Sequence, residues 1–254
     1  MSGGLCRAGF LNLGRCGQLA GAAGEHLGDM VVMMSLINGL IRSGQRFFCL
    51  AMLIPALLTA VATASPALAE TRLMVLGDSL VAGYGLAPGK SFPAQLERDL
   101  RAAGSDVTVL NAGVSGDTTA GGVARLDWSL ADNPQAVIIV LGGNDMLRGL
   151  PPEAAAANLD AIITRLLARK VEVLLAGMLA PRNMGPAYTE AFDAIYPGLA
   201  ARHDIEFYPF FLDGVALDPA LNLDDGLHPN EAGIAEISRR ILPAVNRLLA
   251  RVEG

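Results

Sequence analysis

The sequence predicts an α/β fold: a three-layer α/β/α sandwich around a central, mostly parallel, five-stranded sheet. Short apolar runs alternate with longer amphipathic runs along residues 70–254, and alternating strands and helices favour a parallel sheet covered on both faces. Right-handed crossovers between the strands place helices in both outer layers. Polar, glycine-containing segments follow the first three strand candidates, where ligands bind in such sheets.

The strand candidates are short and apolar, whereas the helix candidates place apolar residues on one face. The strands are predicted at Arg72–Leu76, Val107–Leu110, Ala136–Leu141, Val171–Ala176 and Ile205–Tyr208. The helices are predicted at Phe92–Ala103, Thr118–Leu130, Pro152–Ala168, Ala187–Ala201 and Asn230–Val252. The third strand, AVIIVL, has the β-branched content of a buried strand. We expect Asn230 to cap the last helix and Pro243 to kink it.

A secretory signal peptide is predicted at residues 42–69. Arg42 precedes an uncharged run at residues 47–64, and Ala67 and Ala69 form an A-x-A cleavage site. Cleavage after Ala69 would release residues 70–254, as one domain, into the periplasm or the medium. An uncleaved anchor is the alternative, since the run nears the length of a spanning helix. We expect residues 1–41 to be disordered or to reflect a misassigned start codon.

Cysteine and charge content narrow the chemistry of the predicted domain. All three cysteines precede the cleavage site, so the domain should contain no disulfide, cysteine nucleophile or thiolate metal site. Removing the net +2 of residues 1–69 from the chain's −6 leaves −8, which offers no footprint for nucleic acid. We expect no metal, no cofactor and no obligatory protein partner, and we expect a monomer that acts on a small-molecule or lipid-like substrate.

Four polar segments could carry chemistry. They are Gly77–Leu80, Asn111–Asp117 and Gly142–Asp145 after the first three strands, and Asp224–Asn230 before the last helix. A serine hydroxyl becomes a useful nucleophile when a base lies within hydrogen-bond reach and a carboxylate orients that base. The first segment supplies Ser79, and the last supplies carboxylates and a histidine.

The histidines and carboxylates divide into candidates for catalysis and for structure. His203 ends a predicted helix, where it should stabilise the last carbonyls. His228 follows Asp225 by three residues, so both side chains can face the same side of a turn. The neighbouring Asp224 should cap or face solvent, and Asp78 should shape its turn by accepting hydrogen bonds from backbone amides.

Together the four segments resemble the SGNH, or GDSL, hydrolases. The resemblance covers nearly all of residues 70–254. Within that family, the sequence resembles most the subgroup of bacterial periplasmic thioesterases, lysophospholipases and arylesterases. It rests on the stretches GDSLVAGYG, NAGVSGDTTAGG, VLGGNDMLRG, EAFDAIYPGLA and DDGLHPN. The resemblance implies a flavodoxin-like fold. It also implies hydrolysis of carboxylic esters or thioesters, such as aryl esters, acyl thioesters and lysophospholipids, through an acyl-enzyme.

The resemblance also implies roles for individual residues. Ser79, Asp225 and His228 would form the catalytic triad. The backbone N–H groups of Ser79 and Gly113 and the side-chain amide of Asn144 would form the oxyanion hole. We interpret the glycine at position 113 as allowing close approach of substrate. Asp145 should brace the loop around Asn144.

Loops after the third and fourth strands could shape the substrate pocket. They are rich in apolar groups, which suits an acyl chain or an aromatic ring, although methionine and leucine are also ordinary packing residues. The substrate-binding candidates are Met146, Leu179, Asn183 and Tyr188.

Two alternatives come from other classes. A carbohydrate O-acetylesterase would share the fold and triad, but it should carry more aromatic groups for sugar contact. This chain has one tryptophan, Trp128, which we expect to be buried in the middle of a helix. A non-catalytic binding module should have lost Ser79, His228 or Asn144, and none is lost. Proteolysis is chemically possible through the same intermediate, but no motif supports it.

Overall fold

The computed structural model describes residues 70–253. Five parallel strands form one sheet in the order β2-β1-β3-β4-β5, which confirms the predicted fold class and is the flavodoxin-like order. The strands are β1 (Thr71–Gly77), β2 (Val107–Gly113), β3 (Ala136–Val140), β4 (Glu172–Ala176) and β5 (Glu206–Tyr208). The predicted leader, residues 1–41, and the predicted signal peptide, residues 42–69, lie outside the described residues.

Eight helices lie within residues 70–253 and supply the two outer layers. They are α1 (Ser79–Ala82), α2 (Phe92–Ala102), α3 (Thr119–Ser129), α4 (Gly143–Leu147), α5 (Pro152–Ala168), α6 (Pro186–Asp193), α7 (Ile195–His203) and α8 (Glu231–Glu253). Helices α2 and α8 pack together on one face of the sheet, whereas α3, α5 and α7 pack on the other. Short 3-10 turns occur at Leu130–Asp132 and Arg182–Met184.

The three inner strands, β1, β3 and β4, are largely buried because they are apolar on both faces. Every residue of β3 is buried, as its AVIIV sequence predicts. The register aligns Gly77 of β1 with Gly113 of β2 and with Val140 of β3. Three strands therefore end at one level, and the polar segments that follow them start at the same edge of the sheet.

Helix α5 has the predicted bounds, but the helix predicted at Ala187–Ala201 is two helices, α6 and α7. The break follows from Pro197, which has no N–H to donate to Asp193 and whose ring would clash with that carbonyl. In α8, Asn230 Oδ1 accepts a hydrogen bond from Gly233 N at 3.0 Å, which confirms the predicted cap. The helix runs on through Pro243.

The structural expectation for Trp128 is wrong, whereas His203 lies at a helix end as expected. Trp128 is 79% exposed, because the buried face of α3 is formed by Thr119, Gly122, Leu126 and Ser129. It also lies near the end of α3 remote from the carboxyl edge of the sheet. His203 is the last residue of α7, and its Nε2 lies 2.8 Å from Asp160 Oδ1 of α5, a contact that the sequence did not predict. This hydrogen bond lowers the pKa of Asp160.

No helix in residues 70–253 has the length and apolar character needed to cross a membrane.

Candidate active site

Ser79 lies at the carboxyl edge of the sheet, at the start of α1. The turn between β1 and α1 is tight: a Cβ on Gly77 would lie 2.3 Å from Val81 Cγ2. Asp78 Oδ1 accepts a hydrogen bond from Leu80 N at 3.0 Å, which is the turn-shaping contact that the sequence predicted. The chain therefore reverses directly after the strand and presents the Ser79 side chain at the sheet edge.

Asp225 and His228 share one turn in the segment before α8. Asp225 Oδ1 accepts hydrogen bonds from Leu227 N at 2.9 Å and from His228 N at 3.0 Å. Its Oδ2 lies 2.6 Å from His228 Nδ1. The His228 amide is the largest of the causes that lower the pKa of Asp225 to about 2, followed by the Leu227 amide and the His228 ring. Asp225 therefore keeps its negative charge beside the imidazole. Asp224 is exposed, as expected.

His228 joins this turn to the serine. Its Nε2 lies 2.9 Å from Ser79 Oγ, although the two residues are 149 positions apart in the chain. With Nδ1–H donated to a carboxylate, a neutral imidazole has its lone pair on Nε2. The ring can then accept the serine proton, and Asp225 can stabilise the imidazolium that forms. The structure thus brings together the three residues predicted as a triad.

The loop that carries His228 is fixed by contacts that the sequence did not suggest. Asn222 is buried and donates from Nδ2 to Val215 O and Asp218 O, both at 2.7 Å. Leu223 N donates to His228 O at 2.8 Å, within an antiparallel bridge between Asn222 and Pro229. These bonds hold the imidazole in place before any substrate binds.

Asn144 lies in the first turn of α4, directly after β3. Its Nδ2 donates to Asp78 Oδ2 at 3.0 Å. An amide group has two N–H donors on Nδ2, so the second remains available to a ligand. Burial raises the pKa of Asp78 to about 6, although hydrogen bonds from Leu80 and Asn144 oppose the shift. Asp145 accepts from Thr119 N at 2.8 Å and Oγ1 at 2.6 Å, in keeping with the bracing expected of it.

The placement of Gly113 in an oxyanion hole is wrong. Its N–H already donates to Asn111 Oδ1 at 2.9 Å, and the residue does not line the pocket that contains Ser79. A Cβ at position 113 would lie 2.2 Å from Ala82 N. Glycine is therefore required here because α1 packs directly on the end of β2, and close approach of substrate is not the reason.

Gly116 is the glycine of this loop that faces the pocket, and it was not among the predicted site residues. It lines the pocket beside Ser79 and Asn144 and has a φ of 81°, in the left-handed region that favours glycine. Its carbonyl accepts a hydrogen bond from Arg148 Nη2 at 2.7 Å. Within residues 70–253 its own N–H has no hydrogen-bond partner. The Ser-Gly-Asp sequence indicates a turn at Gly116, but it does not indicate which glycine of the segment faces the pocket.

A pocket of about 630 Å³ opens beside the serine. Met146 and Leu179 line it, as expected of substrate-binding residues. Asn183 and Tyr188 do not, so that part of the prediction is wrong. Asn183 is exposed in a 3-10 turn, and the hydroxyl of Tyr188 donates to Leu150 O at 3.0 Å. Asn183 thus lies in the turn before α6, whereas Tyr188 lies within α6 itself.

Most of the pocket's other wall was not predicted from the sequence. It comes from the segment between β5 and α8 and from the turn after α1. Its members are apolar or aromatic, and several are exposed. They are Tyr84, Phe210, Leu212, Ala216, Leu217 and Leu227. Residues 210–221 form short turns without helical or strand periodicity, so no pattern marked them as pocket residues. Residues 70–253 hold no group of three or more histidine, cysteine or carboxylate side chains suited to a metal ion.

This chain is similar to several known proteins. The family described as GDSL-like Lipase/Acylhydrolase matches residues 75–235. An arylesterase of Vibrio mimicus is 43% identical over 162 residues, which are 63% of this chain and 81% of the relative. Esterase TesA of Pseudomonas aeruginosa is 40% identical over 200 residues, 78% of this chain and 99% of the relative. The Thioesterase 1/protease 1/lysophospholipase L1 of Escherichia coli is 40% identical over 198 residues, 76% of this chain and 93% of the relative.

Solved structures show the same likeness. The crystal structure of TesA has a TM-score of 0.67 and 40% identity, and the match covers 70% of this chain and 99% of that one. The esterase AlinE4, of the SGNH-hydrolase family, has a TM-score of 0.60 and 46% identity, covering 71% and 97% of the two chains. The chain described here therefore belongs to the GDSL-like lipase/acylhydrolase family.

Proposed function

We propose that this carboxylic ester hydrolase cleaves esters and thioesters through an acyl-enzyme on Ser79. The observation that carries the proposal is the continuous hydrogen-bonded path from Asp225 Oδ2 through the His228 ring to Ser79 Oγ, with distances of 2.6 and 2.9 Å. The path ends beside an apolar pocket, where an acyl or aryl group can bind.

The reaction proceeds in two halves. His228 Nε2 takes the proton of Ser79 Oγ as the oxygen attacks the carbonyl carbon, and Asp225 stabilises the resulting imidazolium. The tetrahedral intermediate collapses when the bond to the leaving oxygen or sulfur breaks and that atom takes the proton from Nε2. A water molecule then gives its proton to Nε2 and attacks the acyl-enzyme, and the free acid leaves as Oγ regains the proton.

The oxyanion is stabilised by the backbone N–H groups of Ser79 and Gly116 and by Asn144 Nδ2. Support for this set comes from position, because all three residues line one pocket. The hydrogen bond between Asp78 and Asn144 fixes the amide plane before substrate arrives. Donors held in advance cost no reorganisation during the reaction, and this makes such groups effective.

The substrate class follows from the walls of the pocket. Apolar side chains from both sides suit acyl chains and aryl groups, so we include aryl esters, acyl thioesters and lysophospholipids. The names of the relatives, an arylesterase, an esterase and a thioesterase/lysophospholipase, support the same range. Carbohydrate O-acetylesterase activity is disfavoured because Trp128 lies on the outer face of α3, away from the pocket lining.

We also propose that the enzyme acts in the periplasm or the medium after cleavage near Ala69, as a monomer. The proposed location rests on the arginines, apolar run and A-x-A site of residues 42–69. Amino-terminal sequencing of the protein purified from the periplasmic fraction should begin at Glu70. A product that stays in the membrane fraction with an intact amino terminus would instead show an anchor. Size-exclusion chromatography with light scattering tests the monomer.

The central test is hydrolysis of p-nitrophenyl esters from acetyl to palmitoyl by the purified protein. We expect Ser79→Ala and His228→Ala to lower turnover by about 10⁴–10⁶-fold. Ser115→Ala is a matched control, since Ser115 lines the same pocket but has no bond to the imidazole. Wild-type turnover by a folded Ser79→Ala protein would refute the acyl-enzyme. Activity confined to acetyl esters would favour a deacetylase instead.

A further inference from the structure

Two exposed apolar side chains flank His228 within the pocket. The Tyr84 ring lies with its centroid 4.5 Å from the His228 ring, at an interplanar angle of 39°. Leu227 directly precedes His228 in the chain. The two residues are 52% and 53% exposed, whereas most large apolar side chains of residues 70–253 are buried. Their apolar surfaces are therefore available to a ligand that approaches the imidazole.

Backbone hydrogen bonds tie both side chains to the reacting groups. Tyr84 N donates to Ser79 O at 3.2 Å, and the tyrosine lies between Gly83 and Gly85, which have φ values of 86° and 73°. Leu227 N donates to Asp225 Oδ1 at 2.9 Å. The turns that present Ser79 and His228 thus also fix the positions of Tyr84 and Leu227.

The direction of proton transfer decides which part of the substrate meets them. The leaving oxygen or sulfur receives its proton from His228 Nε2, so it must come within hydrogen-bond distance of that atom. The carbonyl oxygen meanwhile faces Asn144 and Gly116. The group attached to the leaving atom therefore lies on the side of the imidazole, against its neighbours, and the acyl group extends along the remaining walls.

We propose that Tyr84 and Leu227 form a leaving-group subsite for aryl alcohols and aryl thiols. The inference rests on the proposed function and adds to it the part of the substrate that these residues recognise. A flat apolar ring can pack on the exposed ring of Tyr84 and on the side chain of Leu227 as the leaving atom reaches Nε2. A methyl leaving group is too small to cover either surface.

The experiment compares phenyl butyrate with methyl butyrate, which share an acyl group and differ in the leaving group. The measured quantity is the ratio of their kcat/KM values, because kcat/KM reports acylation and not the common deacylation step. We expect Tyr84→Ala to lower the phenyl-to-methyl ratio by about 5- to 10-fold, and Leu227→Ala by about 3-fold. Tyr84→Phe keeps the ring and should keep the ratio within about 2-fold of wild type.

Controls separate a leaving-group contact from other roles. Trp128→Ala removes an exposed aromatic ring outside the pocket and should leave both kcat/KM values unchanged. The pH dependence of kcat/KM for methyl butyrate should keep its position in Tyr84→Ala, since a shift would mean that Tyr84 acts through His228. An equal loss for both esters, or a loss that depends on acyl length, would overturn the proposal. Failure of the acyl-enzyme itself would appear separately, as activity in Ser79→Ala.

Discussion

Asp78 Oδ2 accepts a hydrogen bond from Asn144 Nδ2 at 3.0 Å, which joins the turn after β1 to the turn after β3. The two residues are 66 positions apart, and Asp78 is only 2% exposed. A buried carboxylate thus sets the orientation of an amide that lines the pocket beside the serine. The nucleophile and one proposed oxyanion donor are fixed relative to each other by this contact.

Removal of that donor should reduce turnover more than it reduces binding. We expect Asn144→Ala to lower kcat by about 10²–10³-fold with little change in KM, because an oxyanion donor acts mainly in the transition state. Steady-state kinetics with p-nitrophenyl butyrate measure both constants. Asn183→Ala is the matched control, since Asn183 is exposed outside the pocket, and it should behave as wild type. An unchanged kcat in Asn144→Ala would remove the residue from the oxyanion hole.

Adjacent carboxylates allow a sharp test of the base's partner. Asp225→Asn replaces an acceptor of the His228 Nδ1 hydrogen bond with an amide and should favour the wrong tautomer, lowering kcat by about 10²–10⁴-fold. Asp224→Asn makes the same change at an exposed neighbour and should leave kcat within about 2-fold. Equal losses in the two variants would show that the effect comes from the charge of the loop and not from the hydrogen bond.

Substitution at the two glycines of the second loop should have different effects. A Cβ on Gly113 would lie 2.2 Å from the backbone nitrogen of Ala82, so Gly113→Ala must displace α1 and should destabilise the protein by about 1–3 kcal/mol or more. Gly116→Ala meets no close atom, but its φ of 81° should cost about 1–2 kcal/mol. Urea unfolding measures both. Wild-type stability in Gly113→Ala would contradict the packing explanation.

The buried Asp78 should make stability depend on pH. Burial raises its pKa from 3.8 to about 6, so the folded state holds this proton more tightly than the unfolded state does. At pH values below 3.8, the pKa that Asp78 has in the unfolded chain, the raised pKa contributes fully to the stability of the folded state. This contribution is lost as the pH rises through about 6, the pKa in the folded state. A shift of about 2 units corresponds to about 3 kcal/mol in the free energy of unfolding.

The matched variant is Asp78→Asn, which cannot ionise. The free energy of unfolding is measured with urea for both proteins. The value for the variant minus the value for wild type should increase by up to about 3 kcal/mol from about pH 4 to about pH 8, because only the wild type loses the contribution of Asp78. Asp225 does not contribute to the difference in this range, because its pKa is lowered to about 2 and the residue is present in both proteins. A constant difference between wild type and variant, or one of the opposite sign, would contradict the raised pKa of Asp78.

The sequence alone predicted the fold class and most elements, because each depends on local pattern. The apolar run AVIIV predicts a buried strand, and β3 is buried along its whole length. The bounds of α5 also agree with those predicted from the sequence pattern. Pro197 was also readable, and the break between α6 and α7 could have been placed from it. The serine, histidine and aspartate were recognisable because Ser79 follows the first strand, His228 follows Asp225 by three residues, and the four polar segments together resemble one hydrolase family.

Only the tertiary structure decided which glycine faces the pocket and which residues line its walls. Gly113 and Gly116 are equally good turn glycines by sequence, and they differ because Ala82, from another element, packs against only the first. The ring of Tyr84 lies beside that of His228 although the two residues are distant in the sequence, whereas the hydroxyl of Tyr188 donates to the carbonyl of Leu150. Such environments are set by contacts between distant segments and by burial, which local pattern does not encode.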